Sequence, residues 1–89
     1  MRGMLSFLIL FFLSKKEMNG QEISQEIEKR KGDKPSPGTI YPALKNLKEE
    51  GLIKENKIGK SINYNLTNEG RKALKVAREI FCKTFMDVI

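Results

Sequence analysis

Residues 4–13, Met-Leu-Ser-Phe-Leu-Ile-Leu-Phe-Phe-Leu, form the densest apolar run of the chain and carry no polar face. A helix apolar all round is buried on more than one side. Leu5, Leu8, Ile9 and Phe12 are assigned to the domain's own core, and Phe7, Leu10 and Phe11 to a second subunit. Lys15 to Met18 reads as a polar connector. Beyond it Ile23 and Ile27 lie four apart among solvated Glu26, Glu28, Lys29 and Arg30, the pattern of a helix that buries one narrow stripe. Asn19 is its N-cap and Glu22 completes a variant capping box, while Lys31-Gly32-Asp33-Lys34-Pro35 holds the breakers that end it.

The next stretch, Ser36 to Gly51, has both boundaries written locally: Ser36 as an N-cap acceptor, Pro37 at the first helical position and Gly51 as the left-handed terminator. Ile40, Ala43, Leu44 and Leu47 recur at spacings of three and four and face a core. The outer side carries Gly38, Tyr41, Pro42, Lys45 and Glu49, where an ordinary surface helix shows mainly Glu and Lys. Pro42 deletes one backbone bond if the helix starts at Pro37 and none if it starts nearer Thr39.

After Gly51 the period shortens. Leu52–Asn56 and Ile62–Leu66 flank Lys57-Ile58-Gly59-Lys60-Ser61, and Ile62, Tyr64 and Leu66 alternate with polar residues, which predicts a β-hairpin. Thr67 caps a last helix in which Ala73, Leu74, Ala77, Ile80, Phe81, Phe85 and Val88 repeat over about five turns. That stripe is longer than a domain of this size needs. Its outer part meets a partner helix or, in the sharper alternative, lines a ligand pocket.

The order of elements is therefore α-α-α-β-β-α, a winged helix-turn-helix, mainly α with a small β-hairpin. Residues 1–66 are expected to form the DNA-binding domain, and 67–89 a C-terminal dimerisation helix packed on the same domain. Composition agrees with one modest core. The chain lacks His and has a single Cys, Cys82, so Cys/His zinc sites, histidine triads and an intrachain disulfide drop out. A reducing cytoplasm fits best. Ten apolar residues are too few to span a bilayer, and no small-residue cleavage site follows the run, so neither a membrane helix nor a signal peptide is expected. Neighbouring phenylalanines argue for an inert Cys82 over a redox sensor.

Net charge is +6 with a pI near 9.6, which favours polyanionic partners. The charge is spread evenly: seven basic against five acidic residues in 1–35, five against three in 36–66, and five against three in 67–89. A nucleic-acid reading must therefore rest on architecture. Gly38 permits close backbone approach at a helix N-terminus that attracts phosphate. Thr39, Tyr41 and Lys45 are placed to reach backbone or bases, Ser36 and Ser61 flank them, and Lys57 and Lys60 at the hairpin tip would touch phosphate. The bland alternatives are a Tyr41 ring that closes the core and ordinary solvated lysines on the hairpin.

Ser36-Pro37-Gly38-Thr39-Ile40-Tyr41-Pro42-Ala43-Leu44, then Leu47, Glu50-Gly51-Leu52-Ile53 and Tyr64-x-Leu66-Thr67-x-x-Gly70-Arg71, resemble the PadR family of transcriptional regulators. With Gly20-Gln21-Glu22-Ile23 and the apolar first helix, the likeness covers roughly residues 4–75. Gln21 departs from it, standing where the family usually has an aromatic. The resemblance implies a homodimeric, repressor-type binder of double-stranded DNA whose helix from Ser36 enters the major groove and whose wing touches phosphate. Phe7, Leu10, Phe11, Ala77, Ile80, Phe81, Phe85 and Val88 would form the dimer interface. The likeness further implies a small apolar or aromatic effector in the space between subunits; no cofactor or metal is expected from the composition. A winged-helix module for protein interaction or assembly is the alternative function. An enzyme is disfavoured, since no nucleophile-base pair and no Gly-rich phosphate loop is visible.

Overall fold

In the computed structural model the backbone is described for residues 2–88 and the side chains for 4–80. The order is α1 (Arg2–Leu13), β1 (Met18–Asn19), α2 (Gly20–Lys31), α3 (Pro37–Glu49), β2 (Ile53–Ile58), β3 (Ser61–Leu66) and α4 (Asn68–Val88). The side chains of Phe81, Cys82, Phe85 and Val88 lie outside the described residues.

Helix α1 is the hub. It touches α2, α3, α4 and β3, which explains why its sequence has no polar face. Ile9, Leu10, Phe12 and Leu13 are buried, and Leu5, Phe7, Leu8 and Phe11 pack half-buried around them. Leu10 thus corrects the expectation that it meets a second subunit: at 5% exposure it belongs to the core of its own chain. Ile23 and Ile27 of α2, Ile40, Leu44 and Leu47 of α3, Ile53, Tyr64 and Leu66 of the sheet, and Leu74 of α4 complete that core.

The sheet has three strands in the order β1-β3-β2, all antiparallel, where a two-stranded hairpin was expected. Residues Met18 and Asn19, read as the end of a connector, pair with Tyr64 and Asn63. The hairpin strands also run further than their alternation suggests, from Ile53↔Leu66 to Ile58↔Ser61, and leave Gly59-Lys60 as a two-residue turn. Gly59 takes a φ of 61° and Lys60 is not left-handed, the pattern of a II′ turn with Gly first.

Glu17 fastens this sheet from outside. Its carboxylate accepts from Asn63 at 2.8 Å and Asn65 at 2.9 Å, with longer contacts from Asn56 at 3.4 and 3.5 Å. These amides, Asn63 foremost, hold the Glu17 carboxyl below its usual range against a smaller opposing effect of desolvation.

Caps fix the helix ends. Asn19 accepts from the Glu22 amide at 2.8 Å and Glu22 returns the bond at 3.0 Å, the expected capping box. The C-terminus of α3 is a complete Schellman motif: the Leu52 amide donates to Leu47 O and the Gly51 amide to Lys48 O, with Gly51 at φ 78°. Thr67 joins that end to α4. Its hydroxyl donates to Gly51 O and accepts from the Gly70 amide, while its own amide donates to Leu52 O. Gly70 is packed so closely that a Cβ there would lie 2.0 Å from Leu52 O.

Candidate nucleic-acid interface

Helix α3 buries Ile40, Leu44 and Leu47, each at 2% exposure or less, and half-buries Ala43. With that stripe inward, Gly38, Tyr41, Pro42, Lys45, Asn46 and Glu49 are exposed on the outer side. The helix begins at Pro37, so Pro42 lies inside it and withholds the amide that would have bonded the Gly38 carbonyl.

The start of α3 differs from its expected capping. Ser36 occupies the N-cap position with extended backbone, yet its side chain makes no cap bond; Oγ sits 3.2 Å from Thr39 Oγ1 instead. The Ser36 carbonyl accepts from both Thr39 and Ile40 amides at 2.9 Å. Pro37 has no amide to offer. Of the first four helical residues, the Gly38 N–H alone is left without a side-chain or backbone cap, on an exposed residue with no Cβ to screen it. One open amide therefore replaces the several that a bare helix start would present.

Tyr41 combines the two roles considered for it. It is 46% exposed, and its ring also lies directly over Gly20, where a Cβ would stand 2.7 Å from Cε1 and 2.9 Å from Oη. Space, with no demand on φ, is what requires glycine at position 20. The ring divides two grooves. One runs between α3 and the wing and is lined by Asn19, Gly20, Gln21, Tyr41, Lys60, Ser61, Ile62 and Tyr64. The other lies between the α2 and α3 N-terminal turns, with Gln21, Ser24, Lys34, Pro35, Ser36, Pro37 and Ile40 around Tyr41. Tyr64, buried beside the first groove, has its phenol pushed above the usual value by desolvation, with Glu55 and Tyr41 adding to it.

Ser36, Tyr41, Lys60 and Ser61 are thus gathered around one ring, with Gly38 and Lys45 on the adjoining exposed ridge. Thr39 is on the opposite flank of α3, in a third groove with Leu5, Ile27, Lys31, Asp33, Lys34 and Pro35. Lys57 is exposed on β2, one residue before the hydrophobic tip residue Ile58. Among the described residues Lys45 has no carboxylate within ion-pair distance, whereas Lys48 is tied to Glu55 of β2 at 3.2 Å and braces the helix against the wing.

The exposed polar residues of these two grooves that the sequence pattern does not single out are Gln21 and Lys34. The signal for Gln21 was available: Asn19 caps α2 and so puts residue 21 in its first, outward turn. Lys34 comes into view once Pro35 aims the turn into α3. Among the described residues no group of His, Cys, Asp and Glu side chains is placed to hold a metal, and no helix is long and apolar enough to cross a membrane.

Comparison with known proteins bears on the same residues. The model of the transcriptional regulator PadR-like family matches residues 9–76. The transcriptional regulator YqjI of Escherichia coli K12 is 40% identical over 81 residues, covering 86% of this chain and 39% of its own. The chain thus spans well under half the length of that curated relative. Among solved structures, a PadR family transcription regulator from Clostridium difficile superposes with a TM-score of 0.81 at 32% identity, covering 93% of this chain and 94% of its own. A transcriptional regulator from Clostridium thermocellum gives a TM-score of 0.87 at 27% identity, with 98% and 88% covered.

Proposed function

This chain belongs to the PadR-like family of transcriptional regulators, and from that premise we propose that it is a sequence-specific binder of double-stranded DNA that represses transcription as a homodimer. One observation carries the reading: Tyr41 of α3 and Lys60 and Ser61 of the wing share a groove beside a ridge that holds the Gly38 amide and an unpaired Lys45. A major-groove helix with a phosphate-contacting wing needs this juxtaposition. Gly38 and Ser36 approach the backbone, Tyr41 packs on sugar or bonds phosphate, and Lys45 reaches a base edge. Lys57 and Lys60 position the wing without reading sequence. Thr39, on the other flank, contacts the strand across the groove.

The homodimer is supported by α4. Leu74 and Gly70 face the domain while Val76 and Ile80, four apart, are 54% and 61% exposed, and Ala73 and Ala77 lie between the two sets. In sequence the stripe continues through Phe81, Phe85 and Val88. Pairing it with a second copy, with Phe7 of α1 at its margin, would set two α3 helices about 34 Å apart to read a pseudo-palindrome. The chain then acts by binding, in the cytoplasm, and a small apolar or aromatic effector would enter between the subunits.

Binding to random duplex DNA across a salt series tests the reading. Affinity should fall steeply with salt as several phosphates are neutralised. Lys60→Ala should weaken all sequences alike, and Lys45→Ala should change which sequences a selection from random DNA recovers. Absence of binding at low salt would overturn the proposal in favour of a protein-interaction module. A monomer in sedimentation at micromolar concentration would refute the α4 interface.

A further inference from the structure

On α1, away from the grooves that flank Tyr41, the half-buried Phe11 is surrounded by cations from three separate elements. Lys15 Nζ lies 5.1 Å from the ring centroid, the Arg30 guanidinium 5.4 Å and the Arg78 guanidinium 5.9 Å, and Arg30 is also 5.4 Å from the Phe12 ring. We propose that Lys15, Arg30 and Arg78 around Phe11 form a binding site for a phosphate group. The reading of α3 as a DNA helix is not needed for it.

Helix dipoles explain part of the arrangement. Arg30 is in the last turn of α2 and Lys15 follows the end of α1, where positive charge is favourable. Arg78 has no such reason, because it is well inside α4. What brings it to the other two is the packing of α1 against α2 and α4. None of the three has a carboxylate within 4.0 Å among the described residues, although Lys29, Lys48 and Lys72 all do. Arg78 also lines a neighbouring groove with Ser14, Arg71, Lys75 and Glu79, which adds two more cations against one carboxylate.

Three like charges gathered on one ring have no ion-paired carboxylate among the described residues. A single carboxylate has two oxygens and one charge and can serve one guanidinium fork. A phosphate monoester brings nearly two charges and three acceptor oxygens, enough for two guanidinium groups and an ammonium at once. The phosphate can come from a free phosphorylated small molecule or, as two neighbouring diesters with one charge each, from the backbone of a nucleic acid.

The test uses the whole chain, with inorganic phosphate and pyrophosphate as probes and acetate as control, at constant ionic strength. Phosphate and pyrophosphate should raise Tm saturably and acetate should not. Arg30→Gln and Arg78→Gln should each weaken that binding about tenfold, and Lys72→Gln should leave it unchanged. An equal rise with acetate, or a rise that survives in both arginine variants, would overturn the site. If circular dichroism shows either variant unfolded, amide NMR of the parent chain under phosphate titration decides instead. Shifts centred on Phe11, Lys15, Arg30 and Arg78 support the site, and shifts confined to Gly38, Tyr41 and Lys60 overturn it. Duplex binding then separates the sources. Arg78→Gln that weakens it as Lys60→Ala does assigns the site to DNA phosphate, and unchanged duplex binding assigns it to a free phosphorylated ligand.

Discussion

Helix α3 is capped at Glu50 under many constraints and at Ser36 under few. At its C-terminus Gly51 turns left-handed, the amides of Gly51 and Leu52 close back on α3, Thr67 bonds across to Gly51, and Gly70 admits the Leu52 carbonyl against its Cα. At its N-terminus one serine carbonyl serves two amides, the Ser36 hydroxyl turns aside to Thr39, and Pro42 omits a rung of the ladder. Rigidity is thus concentrated where the helix joins the body of the domain, and hydrogen-bonding capacity is left open where a partner surface is proposed.

Substitutions can break this contrast. Gly70→Ala should be the most damaging, because its Cβ would meet backbone that the Thr67 amide already holds; a loss of about 3 kcal/mol or more in urea unfolding is expected. A midpoint equal to the parent's would show that the junction yields easily. Pro42→Ala should move stability the other way, by about 1–2 kcal/mol, since it restores a donor to the Gly38 carbonyl and removes the ring. A loss there would mean that the ring's packing outweighs the missing bond.

Capping residues sharpen the comparison at smaller magnitude. Thr67→Ala removes a cap that is made and should cost about 1 kcal/mol, whereas Ser36→Ala removes one that is not and should cost only about 0.3 kcal/mol. Equal losses from the two alanines would erase the distinction between the ends. Smallest is the effect at Glu17. Its folded-state carboxyl titrates below the ordinary carboxylate value, so its stabilisation is complete above that value and is lost as pH falls through the folded pKa. Glu17→Gln should therefore lower stability slightly near pH 7, leave it unchanged at acid pH, and so flatten the acid limb of the stability curve. An unaltered acid limb would show that the asparagine contacts do not favour the charged form.

What could be read from the sequence was whatever is local or periodic. Ile40, Leu44 and Leu47 mark a face by spacing alone, and Asn19, Gly51 and Thr67 mark ends by their own chemistry. Leu10 could not be oriented, because a helix apolar on every side offers no stripe. The pair Met18-Asn19 is too short for alternation to reveal a strand. Whether the Ser36 hydroxyl serves an amide or Thr39 is decided by rotamers that spacing does not encode. The placement of Tyr41 over Gly20, the capture of Lys48 by Glu55, and the gathering of Lys15, Arg30 and Arg78 join residues from separate elements. Such contacts appear once the elements pack.

The short strand β1 has a consequence for how the domain assembles. Its pairing with β3, reinforced by Glu17 on Asn63 and Asn65, joins positions 44 to 48 apart and closes a ring that contains all of α2, α3 and β2. Contacts so distant in sequence form late, after the chain entropy of the ring has been spent. The helix-turn-helix is therefore bracketed by the last bonds to form. Opening them frees the wing and the α1–α2 junction together, so amide hydrogen exchange at Met18 and Tyr64 should report a single unlatching event.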